Sequence, residues 1–322
     1  MTNNPVLTST LPVVEAAVHV TLQRKALTSL ALRWLREQKL PPPWPDEHHL
    51  GPADAETTAR YILLLDTLNF CFWPLPGTCK WTVATPQGNL GGYFGLSQAL
   101  ARWFRERPER TTAKALANVP EEEFEAVLAG EGSLQFLPER RAFTRALGDV
   151  LVERYGGSAL RLLAAAKGST AKLVELVVAE LPGFDDRARY AGEVVLLRKR
   201  AQILCADLHG AFHGTGPGRF DDLAYLTAFA DYKLPQLLER IGVLRYSPEL
   251  RASLAAEQLL PAGSALEVEL RAATVWAVEL LRRELEARGR AFLPLELDWI
   301  LWNDAKLLPP GLPYHRTPTV FY

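Results

Sequence analysis

The chain has 322 residues, 48% of them hydrophobic, which is ample for a core and within the range of one large domain or two small ones. It carries 36 Lys and Arg against 37 Asp and Glu, a formal net charge of −1. That balance disfavours a broad phosphate-tracking nucleic-acid surface but leaves room for a local basic pocket.

The first ten residues, MTNNPVLTST, show no basic stretch followed by an apolar one, so no secretory signal is expected. No run of about 18 apolar residues marks a membrane span. Cys71, Cys79 and Cys205 fit neither a zinc spacing nor a disulfide framework. They read as free thiols of a reducing compartment, and the expectation is a soluble, cytoplasmic protein without membrane association.

Helical periodicity dominates from there on. Val13, Ala16, Val20, Leu27, Leu30 and Trp34 predict a helix over 13–38. LPPPWPDEHHLGP (40–52) is a stiff loop. Its His48 and His49 are adjacent and point apart, which suits surface histidines better than a metal pair. The stretch 67–95 is the exception: TLNFCFW alternates, KWTVAT is β-rich, and LPGTC and PQGN supply turns, so a small hairpin of two or three strands is expected. PEEEFEAVLAG, PERRAFTRALGDVLVERYGG and STAKLVELVVAEL follow as helices. Leu181, Pro182 and Gly183 read as a helix-breaking turn, with ARYAGEVVLLRKRAQILCADL as the next helix and Asp207 near its end. SALEVELRAATVWAVELLRRELEARG begins with Ser264 and Glu267 in capping-box register and stops at Gly289. The tail HRTPTVFY suits an extended docked segment. The expected whole is mainly α, one domain over 1–322.

Three stretches place charge where the pattern asks for burial. In TAFADYKLPQLLERIG, Thr227–Ala230 read as the end of a buried helix, followed by Asp231 and Lys233. Asp231 reads as a helix cap or an ion pair with Lys233, or as a carboxylate at the lip of a pocket. In LLRKRAQILCADLHG, Lys199, Arg200, Asp207 and His209 punctuate an apolar helix. Lys199 and Arg200 read as a solvated face or as an anion clamp. In LDWILWNDAK, Asp298 shares a helix stripe with Trp302, and Trp299 lies beside it. This reads as an aromatic core stripe with surface acids, or as an aromatic wall with an acid that accepts from a flat heterocycle.

LNFCFWP, LLRKRAQILCADLHGAF, FDDLAYLTAFADYKLPQLLERIGVLRYSPEL, ELRAATVWAVELL, LDWILWN and PYHRTPTVFY occur in this order across 60–322. The set resembles the queuosine salvage protein family of queuosine-nucleotide N-glycosylases/hydrolases. The resemblance implies hydrolysis of queuosine 5'-phosphate to queuine and ribose 5-phosphate, so that the base is reused for tRNA modification. It also implies a helical fold related to helix-hairpin-helix DNA glycosylases, with a small-molecule substrate, queuosine 5'-phosphate or queuosine. Neither a cofactor nor a metal is expected, and no stable nucleic-acid complex.

In residue terms it points to Asp231 as the catalytic carboxylate beside the ribosyl cation. Asp298 would read the N1–H and 2-amino edge of the base, with Trp299 or Phe229 stacking on the ring. The family often has Asp where this chain has Asn303; the acid role would then pass to Asp304, and Asn303 would serve as a donor to the departing base. Asp304 or His49 would meet the protonated side arm of queuine. The 5'-phosphate calls for cations, with Lys199 favoured and Arg200, Lys233, His315 and Arg316 as alternates; Asp207 is a further acid of the site. Two other readings are a non-catalytic queuine- or queuosine-binding protein and a glycosylase acting on a polymer.

Overall fold

The computed structural model describes residues 4–86 and 88–322. In chain order it contains α1 (Pro5–Ala16), β1 (Val20–Leu22), α2 (Arg24–Arg36), α3 (Ala55–Thr67), β2 (Thr82–Thr85), β3 (Gly88–Gly91), α4 (Gly92–Glu106), α5 (Ala113–Ala117), α6 (Glu121–Val127) and α7 (Leu137–Tyr155). There follow α8 (Ala159–Ala165), α9 (Thr170–Glu180), β4 (Arg187–Tyr190), β5 (Glu193–Leu196), α10 (Lys199–Ala211), α11 (Lys233–Arg240), β6 (Leu244–Tyr246), α12 (Pro248–Ala255), α13 (Ala265–Glu286) and α14 (Pro294–Lys306). The fold is mainly α, as expected. The strands form three antiparallel pairs, β1 with β6, β2 with β3 and β4 with β5. Of the turn expected at PQGN, Gln87 lies outside the described residues.

Four local expectations change, each for a visible reason. The helix predicted over 13–38 breaks after Ala16, where Val20–Leu22 pairs with Leu244–Tyr246. The buried Glu269 carboxylate accepts from the backbone N–H groups of His19 at 2.6 Å and Val20 at 3.2 Å, which compensates the break. The helix predicted from 188 begins only at Lys199. Before it, Ala191 and Gly192, both at positive φ, close the β4–β5 hairpin, so the Leu181–Gly183 turn leads into strands rather than directly into a helix.

The aromatic run 68–74 is not a strand. The fully buried Arg140 guanidinium donates to the carbonyls of Leu68, Phe70 and Cys71, occupying acceptors that a ladder would have used. Thr227–Ala230 is likewise not helical. Its backbone is satisfied by buried side chains: Gln202 accepts from Thr227 N, Asp298 from Phe229 N, and Arg271 donates to the Ala230 carbonyl. Three helices, α10, α14 and α13, thereby hold an irregular strand of chain through the interior.

Two larger hydrophobic clusters form the core. One gathers α3, α4 and α7–α10; the other gathers α2, α11, α13 and α14. The tail docks in extended form, as expected: Cys71 N donates to the Tyr322 carbonyl at 2.8 Å, and the Arg271 guanidinium carbon lies 4.1 Å from the centroid of the Tyr322 ring.

Candidate active site

A cavity of about 460 Å³ opens between the 42–49 loop, the 69–72 segment that follows α3, α4, α10, α14 and the irregular segment ending at Asp231. That size suits one small ligand. Its aromatic wall comes from Trp44, Tyr93, Phe94, Phe229, Trp299 and Trp302. Trp44 stacks on His49 at 4.2 Å, and Phe94 meets Trp302 edge to face at 5.5 Å. The Lys306 ammonium lies 4.3 Å from the Trp302 ring centroid.

Lys199, the first residue of α10, is buried at the cavity floor, with Nζ 3.4 Å from the Asn69 carbonyl. Burial lowers its pKa, and the carboxyls of Asp231, Asp66 and Asp207 oppose that shift. Asp298 is close enough to feel both Lys199 and Asp231. Four buried or half-buried carboxyls thus surround one ammonium, so they cannot all be ionised together. Burial raises Asp66 to about 7 and Asp298 to about 8, and raises Asp207 well above the usual carboxylate range.

Asp231 is also raised by burial, but it has the most compensation. Lys199 favours its ionised form, the N–H groups of Lys233 and Leu234 donate to its Oδ1 at 2.7 and 3.2 Å, and Lys233 adds a further charge. Both backbone bonds land on Oδ1. Asp231 therefore caps α11 and lines the cavity at once, so the two sequence readings are not alternatives. Pro235, third in α11, needs no N–H partner there.

Asp207, Asp298, Phe229, Trp299, Asn303, His49, Lys199 and Lys233 all join Asp231 around the cavity. Asn303 Nδ2 donates to the Trp299 carbonyl of its own helix at 2.9 Å. His49 is not a surface residue: it is buried, with Nδ1 2.9 Å from the Pro45 carbonyl and Nε2 2.9 Å from the Tyr93 hydroxyl.

Arg200 and Asp304 do not reach the cavity. Arg200 points to the opposite face of α10, where it donates to the carbonyls of Asp66, Thr67 and Gly183. Asp304 pairs with Lys39 at 3.0 Å. Of the alternate cations, His315 is buried beside Arg271 and Tyr322, and Arg316 pairs with Glu257 at 2.9 Å. Sequence reasoning missed Tyr93, Phe94, Trp44 and Lys80, which line the cavity, and Asp66, which lies behind it and acts on Lys199 through its charge. The first two follow the Gly91–Gly92 pair that opens α4, a signal that a backbone there approaches something closely.

The sequence model of one protein family, described as "Queuosine salvage protein", matches residues 48–322. The chain belongs to the queuosine salvage protein family. It is 45% identical to a relative from Sphaerobacter thermophilus over 318 residues, 98% of this chain and 97% of the relative. It is 39% identical to one from Dictyostelium discoideum over 268 residues, 83% of this chain and 79% of the relative. A relative from Mus musculus is 34% identical over 310 residues, 92% of this chain and 90% of the relative. All three are named queuosine 5'-phosphate N-glycosylase/hydrolase. The queuosine salvage match starts at 48 rather than near 60, which brings His49 within it, and the 98% coverage extends the likeness into α1 and α2.

Proposed function

We propose that this protein hydrolyses the N-glycosidic bond of queuosine 5'-phosphate, releasing queuine and ribose 5-phosphate for reuse in tRNA modification. The observation that carries the reading is the Asp231 carboxyl, fixed by two backbone N–H groups at an aromatic-walled cavity, with the Lys199 charge favouring its ionised form. Breaking the bond builds positive charge on ribose C1' and its ring oxygen. A fixed carboxylate in a site with little water stabilises that charge and orients the attacking water. Burial raises all of these acids, and Asp231 is the one with the most partners for its ionised form; such a difference divides the roles of stabiliser and acid.

The base then lies against Trp299 and Phe229. Asp298, whose Oδ1 accepts from Phe229 N at 2.8 Å, presents its second oxygen to the N1–H and 2-amino edge, whose two donors favour its ionised form once the base is bound. Asn303 stands beside Trp299 as a donor. Lys199 is committed to the acids around it, so the 5'-phosphate falls to Lys233 and Lys80. Both line the cavity, and each ammonium feels the other's charge. Glu47 at the rim is a better partner for the side-arm ammonium than Asp304, which Lys39 occupies.

We assign the reaction to one catalytic domain in the cytoplasm, without a stable nucleic-acid complex. The three unpaired cysteines and the absence of a helix long and apolar enough to cross a membrane, among the described residues, support that assignment. Incubation with queuosine 5'-phosphate, following free queuine, tests the activity. Binding without release would leave a queuine-binding protein, and steep salt dependence with a tRNA or DNA substrate would favour a polymer-acting enzyme.

A further inference from the structure

One chain of hydrogen bonds in the cavity wall has its protons determined by chemistry. His49 Nδ1 lies 2.9 Å from the Pro45 carbonyl, and a carbonyl only accepts, so Nδ1 carries a hydrogen. His49 Nε2 lies 2.9 Å from Tyr93 Oη, which lies 2.5 Å from Asp207 Oδ2. The tyrosine has a single hydrogen to share between them. If it points to Nε2, Asp207 is a neutral acid that donates to Tyr93. If it points to Asp207, that group is a carboxylate and Nε2 must donate, making His49 an imidazolium. The two arrangements hold the same number of protons and satisfy the same bonds. They differ by a shift of two hydrogens along the line.

The surroundings decide between them. Asp207 on α10 faces Asp66 from α3, Asp298 from α14, Lys199 from its own helix and Tyr93 from α4. Two of those neighbours are acids and one is a cation. Around His49 stand His48, Asp46 and Glu47, and the Trp44 ring stacks on its face. Burial lowers His49 to about 4 and raises Asp207, so the neutral arrangement prevails at pH 7. Asp207, which lines the same cavity as Asp231, is thus held as an acid.

We propose that Asp207, Tyr93 and His49 form a proton relay in which Asp207 protonates the departing base and Tyr93 and His49 restore its hydrogen. This rests on the glycosidase reading above. The need is chemical: a 7-deazaguanine has carbon in place of N7, so the usual protonation that eases purine departure is not available. The C1'–N bond breaks with its electron pair going to the base, and the Asp207 carboxyl hydrogen turns away from Tyr93 Oη and goes to the base. The Tyr93 hydrogen then turns to the new carboxylate. His49 Nε2, left without a donor, takes a proton from solvent, and the two-hydrogen shift returns Asp207 to its acid form. Water oxygen forms the new bond to C1', and its proton passes to Asp231 and then to solvent. One proton enters from solvent and one leaves, so the sum is hydrolysis. Tyr93 and His49 are positioning residues; Asp207 is the one that meets substrate.

The test uses the intact protein with queuosine 5'-phosphate. Wild-type kcat should fall as pH rises through the pKa of Asp207. Asp207→Asn should lose about 10²-fold or more in kcat, the usual share of general acid catalysis, and that alkaline limb with it. Tyr93→Phe removes the bond that favours the carboxylate, so the alkaline limb should move to higher pH while kcat falls about tenfold and KM barely changes. A wall residue without a proton role would alter KM or stability and leave the limb in place. Infrared difference spectra of the substrate-free protein should show a neutral carboxyl band at pH 7 that Asp207→Asn removes. Turnover in wild type with an unchanged kcat and pH profile in both variants overturns the relay and spares the glycosidase reading. Failure of wild type to release queuine overturns both.

Discussion

Asp231 joins two jobs that a sequence reading keeps apart. One oxygen closes the N-terminus of α11 through Lys233 N and Leu234 N, which fixes where the carboxylate points. The charge of Lys199 favours its ionised form against burial. Asp231→Asn retains a side-chain oxygen able to cap, so the fold should persist, with a stability change of about 1 kcal/mol or less. Its charge is gone, and turnover should be nearly abolished, with circular dichroism unchanged and single-turnover release of queuine as the readout. Wild-type-like release would make Asp231 structural alone. The lysines separate in the same assay. Lys233→Ala or Lys80→Ala should weaken use of the nucleotide far more than of the nucleoside. Lys199→Ala should reduce both alike, because it disturbs the acids rather than the phosphate. A loss confined to the nucleotide in Lys199→Ala would return the phosphate to Lys199.

At the level of elements, buried arginines replace regular secondary structure. Arg140 holds the 68–71 turn, Arg200 ties α10 to the end of α3, and Arg271, paired with Glu267 of its own helix, braces α13 against Asp186 and the Ala230 carbonyl. Asp186 in turn accepts from Lys199 N at 3.0 Å, so the brace ends at the first residue of α10 and hence at the cavity floor. Arg271→Met leaves Asp186 and Glu267 buried without their cation. A loss of about 3–5 kcal/mol is expected in urea unfolding. Adding Asp186→Asn should recover part of it, since the uncompensated charge, not the missing contact, is the larger cost. If the single variant is as stable as wild type, the network contributes little to holding α13.

For the molecule as a whole, the sign of pH dependence can be worked out group by group. His315 is buried beside Arg271 and held at about 3, and His49 at about 4, both below the unfolded histidine value. Between those folded values and about 6.5 the unfolded chain binds more protons, so these two histidines reduce stability as pH falls. Asp66 at about 7 and Asp298 at about 8 act in the opposite sense: the folded state binds the extra protons, and their contribution declines as pH rises from the unfolded carboxylate value to those pKa values. Comparing wild type with His315→Gln isolates one group. The drop in unfolding free energy from pH 7 to pH 5 should be smaller in the variant by about 2 kcal/mol. An identical drop would mean that His315 is protonated in the folded protein.

The sequence by itself determined the α-rich class, the long capped helix at 265, the docked tail and the acids and aromatics of FADY and LDW. These rest on periodicity, capping chemistry and ordered motifs, all of which are local. It did not determine that 17–23 leaves the helix, that 187–196 is a hairpin, or that Thr227–Ala230 is irregular. The first and the last are settled by partners far along the chain, Glu269 and β6 for one and Gln202, Asp298 and Arg271 for the other, while the hairpin is closed locally by Ala191 and Gly192 at positive φ. The same holds for the site. Arg200 adjoins Lys199 in sequence, yet the turn of α10 sends one to backbone carbonyls and the other to the cavity. Tyr93 reaches Asp207 across 114 positions, and no spacing rule connects them. Which acid is an anion and which is an acid depends on burial and on the nearest cation, and only the tertiary structure decides those two quantities.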